Sequence, residues 1–195
     1  MLFYMTDKRF EIATIKANEV LEKLSINSDE TVDTGCLVEV VEKLTNTKVY
    51  VKELDFNTID TECHYGAMMC VTENSDGKSA LIILNSNQNV DARFRRFSLV
   101  HELGHLLTGK YNVANSDNQF TLSTHIDYRF NHIEEEYDDD DYLLNEEIAN
   151  IFALKVLLPS KTLFNKLAEG NDYRKIADFF GVSEEALISR MRLGI

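Results

Sequence analysis

Cysteine is scarce in this sequence, and the spacing of its cysteines excludes two kinds of structural site. The chain contains three, Cys36, Cys63 and Cys70, and none of them stands in a C-x-x-C pair. A disulfide framework and a cysteine-rich zinc site are therefore not expected. Reduced thiols are the simplest interpretation, and they are typical of a cytoplasmic protein.

Long apolar runs are missing as well. No segment approaches the roughly 20 consecutive apolar residues of a membrane-spanning helix. The segment Met1 to Phe10 is too short, and too soon charged, to form a signal peptide. Hydrophobic residues nevertheless make up 44% of the 195 residues, which is enough for a real core. We therefore expect a globular cytoplasmic protein with no membrane segment.

Basic residues are outnumbered, and this bears on the kind of partner. The chain has 20 Lys and Arg against 33 Asp and Glu, for a net charge of −13. Proteins that neutralise nucleic-acid phosphates normally present a basic patch. Direct nucleic-acid binding is therefore not expected, whereas a basic protein partner remains compatible with this charge.

The most informative feature that is present is a His-Glu-x-x-His stretch from His101 to His105. A four-residue step turns an α-helix by about 400°, so both imidazoles leave one face and could share a metal ion. Zinc is the natural occupant, because imidazole suits it and hydrolysis needs a Lewis acid without redox chemistry. Glu102 could then serve as the general base for a water molecule at that metal.

The alternative is that this short pattern arose by chance on a surface helix, where its polar side chains are simply solvated. The surrounding sequence favours a buried helix instead, since positions 97, 99, 100, 103, 106 and 107 are all apolar. Buried His and Glu side chains need partners, and a cation supplies one. Gly104 costs about 1 kcal/mol relative to Ala inside a helix, which suggests that something packs closely there.

A catalytic zinc needs a third protein ligand. We favour Glu146, because Asn150 follows it by four residues on the same helix face and could hydrogen-bond near the metal histidines. The other candidates are Glu147, His64, His125 and His132. In the competing interpretation, Asn145 caps this helix and the two glutamates only complement its dipole.

The remaining patterns predict an α+β fold, mostly helical, with a small β-sheet packed on the HExxH helix. Helices are expected over Arg9–Leu24, Cys36–Leu44, Asp91–Thr108, Asn145–Leu158, a segment from about Ser160 to Ala168, Tyr173–Phe180 and Glu184–Arg192. Strands are expected over Thr47–Leu54, Gly66–Thr72 and Ser79–Leu84, the last two as a hairpin.

Two segments invite functional interpretations that we weigh against simpler ones. The acidic run Glu134–Asp141 is most simply a solvated loop, although its position suits a lid or a substrate rim. The closing pair of helices resembles a DNA-reading motif in outline. Because the chain as a whole is acidic, packing of these helices against the rest of the protein is the better interpretation.

Three stretches together resemble the ImmA/IrrE family of metallopeptidases. They are Arg95-Arg96-Phe97-Ser98-Leu99-Val100-His101-Glu102-Leu103-Gly104-His105-Leu106-Leu107, Glu146-Glu147-Ile148-Ala149-Asn150-Ile151-Phe152-Ala153 and Leu157-Leu158-Pro159. The resemblance implies a gluzincin-like core in which His101, His105 and Glu146 bind zinc and Glu102 is the base. It also implies regulatory proteolysis, because members often lie on mobile elements or beside helix–turn–helix repressors, and several relieve repression.

We therefore expect one metallopeptidase domain over residues 1–195, with a small C-terminal helical subdomain at about 160–195. Its expected activity is zinc-dependent cleavage of a protein substrate, such as a DNA-binding repressor. The alternatives are a metal-stabilised module that sequesters a repressor without cleaving it, and a toxin–antitoxin component. The donor for the oxyanion is left open among Tyr65, Tyr111, Tyr128, His125 and His132.

Overall fold

The computed structural model describes residues 8–27, 29–58, 66–75, 77–88, 91–109 and 140–194. Within these ranges the chain forms helices and a small sheet, and the predicted mostly helical α+β class is confirmed. The elements are α1 (Lys8–Leu24), α2 (Thr34–Thr45), β1 (Thr47–Leu54), β2 (Ala67–Asn74), β3 (Gly77–Asn85), α3 (Ala92–Thr108), α4 (Asp140–Leu157), α5 (Ser160–Ala168), α6 (Tyr173–Phe180) and α7 (Glu184–Arg192).

The three strands form one sheet in the order β1-β3-β2, with β1 parallel and β2 antiparallel to β3. The predicted hairpin of β2 and β3 is confirmed, and its strands reach further into the polar linker than expected. Asn74 pairs with Gly77, so only two residues of the sequence separate the paired strands. Gly77 has φ +121°, a conformation that residues with a Cβ rarely adopt, which explains the glycine there.

The sheet buries one face against the helices. Residues that share this face alternate along the strands, as the two-residue period of a strand requires. They include Val49, Met69, Val71, Ala80 and Ile82, all of which are buried. Helix α3 contacts both β2 and β3. The predicted packing of the sheet on the HExxH helix is therefore confirmed.

Helix α3 has a capping residue at each end. Asp91 accepts a hydrogen bond from the backbone N–H of Arg93, and Gly109 ends the helix with φ +69°. From Phe97 to Leu107 the helix is buried at every position except Leu99. The predicted bounds and the predicted burial of this helix are both confirmed.

Helix α4 begins five residues earlier than the predicted start at Asn145. The sequence favoured a loop here because of its acidic residues, but Leu144 packs against the core and extends the apolar surface towards the N-terminus. Asn145 and Glu146 therefore lie in the second turn. The capping interpretation of Asn145 is wrong for that reason.

The C-terminal helices join the same hydrophobic core as the rest of the chain. Leu163, Ile176, Phe180 and Leu187 are buried within it. The closing helix pair thus packs against the body of the protein, as expected. Among the described residues, no helix combines the length and apolar character needed to cross a membrane.

Arg190 ties the end of the chain to the junction of α4 and α5. It is 1% exposed. Its Nε donates to the Leu158 carbonyl at 3.2 Å and its Nη2 donates to the Ser160 hydroxyl at 2.7 Å, while Nη1 donates to the Gly194 carbonyl. One buried guanidinium therefore links the end of α4, the start of α5 and the turn that follows α7.

We predict that Arg190→Met lowers the free energy of unfolding by about 2–4 kcal/mol, because the buried Leu158 carbonyl loses its hydrogen bond and two partly buried hydrogen bonds are lost with it. The exposed Arg192, changed to Met, should shift it by no more than about 0.5 kcal/mol. Urea unfolding followed by circular dichroism measures both. Equal stability of the two variants would show that Arg190 does not hold these elements together.

Candidate metal centre

Helices α3 and α4 approach each other closely at Gly104. A Cβ atom built on this glycine would lie 2.9 Å from Cδ1 of Phe152 and 3.2 Å from the backbone Cα of Ala149. The first distance is shorter than real Cβ contacts, and the second is tighter than most of them. The close packing expected around Gly104 is therefore confirmed, and it brings the faces of the two helices together.

His101, His105 and Glu146 meet at this junction. Nε2 of His101 lies 3.1 Å from Oε2 of Glu146, and Nε2 of His105 lies 3.1 Å from Oε1 of the same carboxylate. The two Nε2 atoms are 3.0 Å apart. All three side chains are buried, and the group could hold a metal ion.

The size of this triangle suits a small divalent ion. Donor atoms at about 2.0–2.1 Å from a tetrahedral zinc are separated from each other by about 3.3 Å. The three observed donor–donor separations of 3.0–3.1 Å are close to that value. Two imidazoles and one carboxylate are also an established ligand set for catalytic zinc, with a fourth position left for water.

Asn150 orients His101 within the triangle. Its Oδ1 lies 2.9 Å from Nδ1 of His101. With the amide oxygen as acceptor, Nδ1 carries the proton, so the Nε2 lone pair is directed at the other donors. The predicted hydrogen bond between Asn150 and a motif histidine is confirmed.

The electrostatics of the triangle favour a bound cation. Burial raises the pKa of Glu146, but its close contacts and charge interactions with the imidazoles of His101 and His105 outweigh burial and lower the pKa to about 2. The carboxylate is therefore ionised. An anion and two imidazole lone pairs that converge where water is excluded are stabilised by a shared positive charge.

Glu102 is the other acidic side chain at this junction, and it is fully buried. Neither of its carboxylate oxygens has a hydrogen-bond partner among the described residues. Burial, and secondarily the charge of Glu146, raises the pKa of Glu102 well above its usual range. A buried carboxyl group without a structural partner is free to exchange a proton with a water molecule or a substrate.

Glu147, the alternative carboxylate ligand, is directed away from the triangle. It forms an ion pair with Arg9 of α1, and its side chain is 46% exposed. Arg9 thereby helps to fix α4 to α1, a contact that the sequence did not predict. The remaining candidate ligands and oxyanion donors lie outside the described residues: His64, Tyr65, Tyr111, His125, Tyr128 and His132. Residues 134–139 of the acidic run also lie outside them.

A buried His-His-Glu group on two packed helices, beside a small sheet, is an arrangement found in metallopeptidases. Comparison with known families agrees: the family model described as IrrE N-terminal-like domain, Peptidase_M78, matches residues 46–192. The chain belongs to this family, and the predicted ImmA/IrrE resemblance is confirmed. A search of curated proteins found no match. Helices α1 and α2 precede Thr47 and so lie before nearly all of the matched region.

We predict that Gly104→Ala destabilises the protein by about 1–3 kcal/mol, although Ala is the better helix former, because its methyl group forces α3 and α4 apart. The affinity of the His-His-Glu group for a divalent metal ion should fall as well. The control is Gly35→Ala, whose nearest neighbour is not backbone but Oδ1 of Asp33 at 3.1 Å, the side-chain oxygen that caps α2. That variant should stay within about 1 kcal/mol of wild type. Thermal and urea unfolding provide the comparison, and a Gly104→Ala protein as stable as the control would contradict the close contact.

Proposed function

We propose that this chain is a cytoplasmic zinc-dependent endopeptidase that cleaves a protein substrate, with a DNA-binding repressor of the helix–turn–helix type as that substrate. One observation carries the proposal. A buried triangle of His101, His105 and Glu146 lies beside a buried glutamate, Glu102, that has no structural partner among the described residues. Membership of a metallopeptidase family supports the same activity.

His101, His105 and Glu146 would hold the zinc ion. When bound, zinc supplies a Lewis acid that polarises a peptide carbonyl and lowers the pKa of a coordinated water towards about 7. Asn150 keeps the proton of His101 on Nδ1, so that Nε2 stays available as a donor. The choice of zinc rests on the donor types, since imidazole and carboxylate both suit it.

Glu102 would move the proton during cleavage. Its carboxylate accepts a proton from the water that attacks the peptide carbonyl, and the resulting carboxylic acid donates that proton to the leaving amine. Burial favours the first of these two steps, because it raises the affinity of the carboxylate for a proton. Its two oxygens make no competing hydrogen bond within the described part of the chain.

The choice of substrate rests on the ImmA/IrrE resemblance and on charge. A net charge of −13 favours association with a basic partner, and DNA-binding proteins carry basic surfaces. The same charge disfavours direct binding to nucleic acid. Regulatory proteolysis of a repressor is therefore the function that we propose.

We predict that Glu102→Gln retains bound zinc but cleaves a repressor encoded beside its gene at least about 100-fold more slowly, because it removes the proton acceptor. Glu147→Gln is the matched control and should cleave at the wild-type rate. Single-turnover cleavage followed on gels, with zinc content measured by mass spectrometry, tests both variants. Cleavage by Glu102→Gln at the wild-type rate would refute the role of Glu102. A stable complex without cleavage in the wild type would favour sequestration over proteolysis.

A second prediction concerns Asn150. The Asn150→Ala variant should bind zinc about 10- to 100-fold more weakly, because His101 loses the acceptor that fixes its ring and tautomer. The amide of Asn165 on α5 provides the control, and Asn165→Ala should bind zinc as the wild type does. Competition against a chromogenic chelator measures both affinities. Unchanged affinity in Asn150→Ala would show that the hydrogen bond does not support the metal site.

A further inference from the structure

The sheet has an open edge along the second half of β1. Among the described strands β1 lies at one edge, because the order is β1-β3-β2. The Leu54 carbonyl accepts a hydrogen bond from the backbone N–H of Ser86, so Leu54 directs its backbone groups towards β3. Successive residues of a strand direct these groups to opposite sides, so Val51 and Glu53 direct theirs to the edge. Within the described residues, neither has a backbone hydrogen bond there.

The first half of the same edge is closed by α2. The backbone N–H of Val49 donates to Oε1 of Glu42 at 2.8 Å, and Lys48 forms an ion pair with this carboxylate at 3.1 Å. This bond takes up an N–H group that an edge strand would otherwise offer to another chain. Two residues further on, Val51 is 37% exposed. The protein therefore covers one half of this edge and leaves the other half open.

A cavity of about 440 Å³ lies beside the open half. Val51 and Glu53, whose backbone groups face the edge, both line it, and so do Leu84 of β3 and Leu99 of α3. Glu53 pairs with Leu84 in the sheet, so these side chains share the face that is directed towards α3. A strand added to the edge would direct alternate side chains to that same face, and so into the cavity.

The charged side chains around the cavity already have partners. Each of its three arginines has an acidic neighbour: Arg93 has Asp178, Arg95 has Glu53 and Arg96 has Asp33. In the described part of the chain, the surface that remains without a partner is the apolar wall of Val51, Leu84 and Leu99. Such a wall suits an uncharged, apolar side chain.

We propose that the edge of β1 at Val51 and Glu53 docks an extended segment of a protein substrate, which adds to the sheet as a strand and places one apolar side chain in the cavity. An extended backbone is the partner that matches alternating N–H and C=O groups. The choice of a substrate rests on the proposed function, and the net charge of −13 favours basic residues beside the apolar one. Arg95 at the cavity is about 15 Å from His105 along α3, so this contact would hold the substrate away from the metal centre.

Fluorescence anisotropy with a fluorescein-labelled peptide of sequence KTVLVTK tests the docking. The protein is full-length Glu102→Gln loaded with zinc, which should bind peptides without cleaving them. We expect saturable binding that weakens at least about tenfold when the leucine is N-methylated, because a strand hydrogen bond is lost, and also when the leucine is replaced by aspartate. Equal binding of all three peptides, or no saturable binding of the first, would overturn the proposal.

Variants made in the same protein locate the site. Val51→Asp should weaken the peptide at least about tenfold, because it places a charge in the apolar wall. Val51→Pro removes an N–H group that faces the open edge, keeps the hydrogen bonds to β3, and should also weaken binding. Tyr50→Asp is the matched control, since Tyr50 is 52% exposed on the other face of the same strand. Equal weakening by Tyr50→Asp and Val51→Asp, or none by either change at Val51, would contradict the proposal.

Cleavage of a repressor encoded beside the gene separates docking from catalysis. Val51→Asp should raise KM with little change in kcat, whereas Glu102→Gln should lower kcat. Peptide docking without any cleavage by the wild type would support the docking site and refute the proposed activity. Cleavage with an unchanged KM in Val51→Asp would refute the docking site alone. A wild-type dimer in analytical ultracentrifugation that Val51→Pro dissociates would assign the edge to a second copy and overturn the proposal.

Discussion

The packing of α3 against α4 at Gly104 determines how the candidate metal ligands come together. A hydrogen in place of a side chain lets Phe152 and Ala149 approach the backbone of α3. Glu146 lies one turn before Asn150 on the same helix, so this approach brings a carboxylate and an amide to the histidines at once. If the helices were wider apart, two histidines one turn apart would have no third donor.

Burial controls the electrostatics of the side chains at this contact. The donor triangle and Glu102 lie where water is largely excluded, so like charges there cannot be screened by solvent. Glu146 stays ionised because two imidazoles surround it, whereas the pKa of Glu102 is raised by burial and by the charge of Glu146. Two neighbouring carboxyl groups thus acquire opposite tendencies from their surroundings, which suits one to binding a cation and the other to carrying a proton.

Much of this arrangement was predictable from local patterns in the sequence. The HExxH spacing, the caps Asp91 and Gly109 and the spacing of Glu146 and Asn150 are short-range signals, and each corresponds to what the structure shows. The start of α4 was misplaced because its acidic residues resemble a loop while Leu144 reveals its contact only in the folded core. A cavity lined by Arg93, Arg95 and Arg96 was not predicted, since it forms where the starts of α2 and α3, two strands and the α6–α7 turn meet in space.

Anomalous X-ray diffraction from crystals grown with zinc, recorded on both sides of the zinc absorption edge, would locate the metal ion. We expect one strong peak at about 2.0–2.2 Å from Nε2 of His101, Nε2 of His105 and a carboxylate oxygen of Glu146. A zinc peak at any other position, with these three side chains making only hydrogen bonds among themselves, would contradict this expectation.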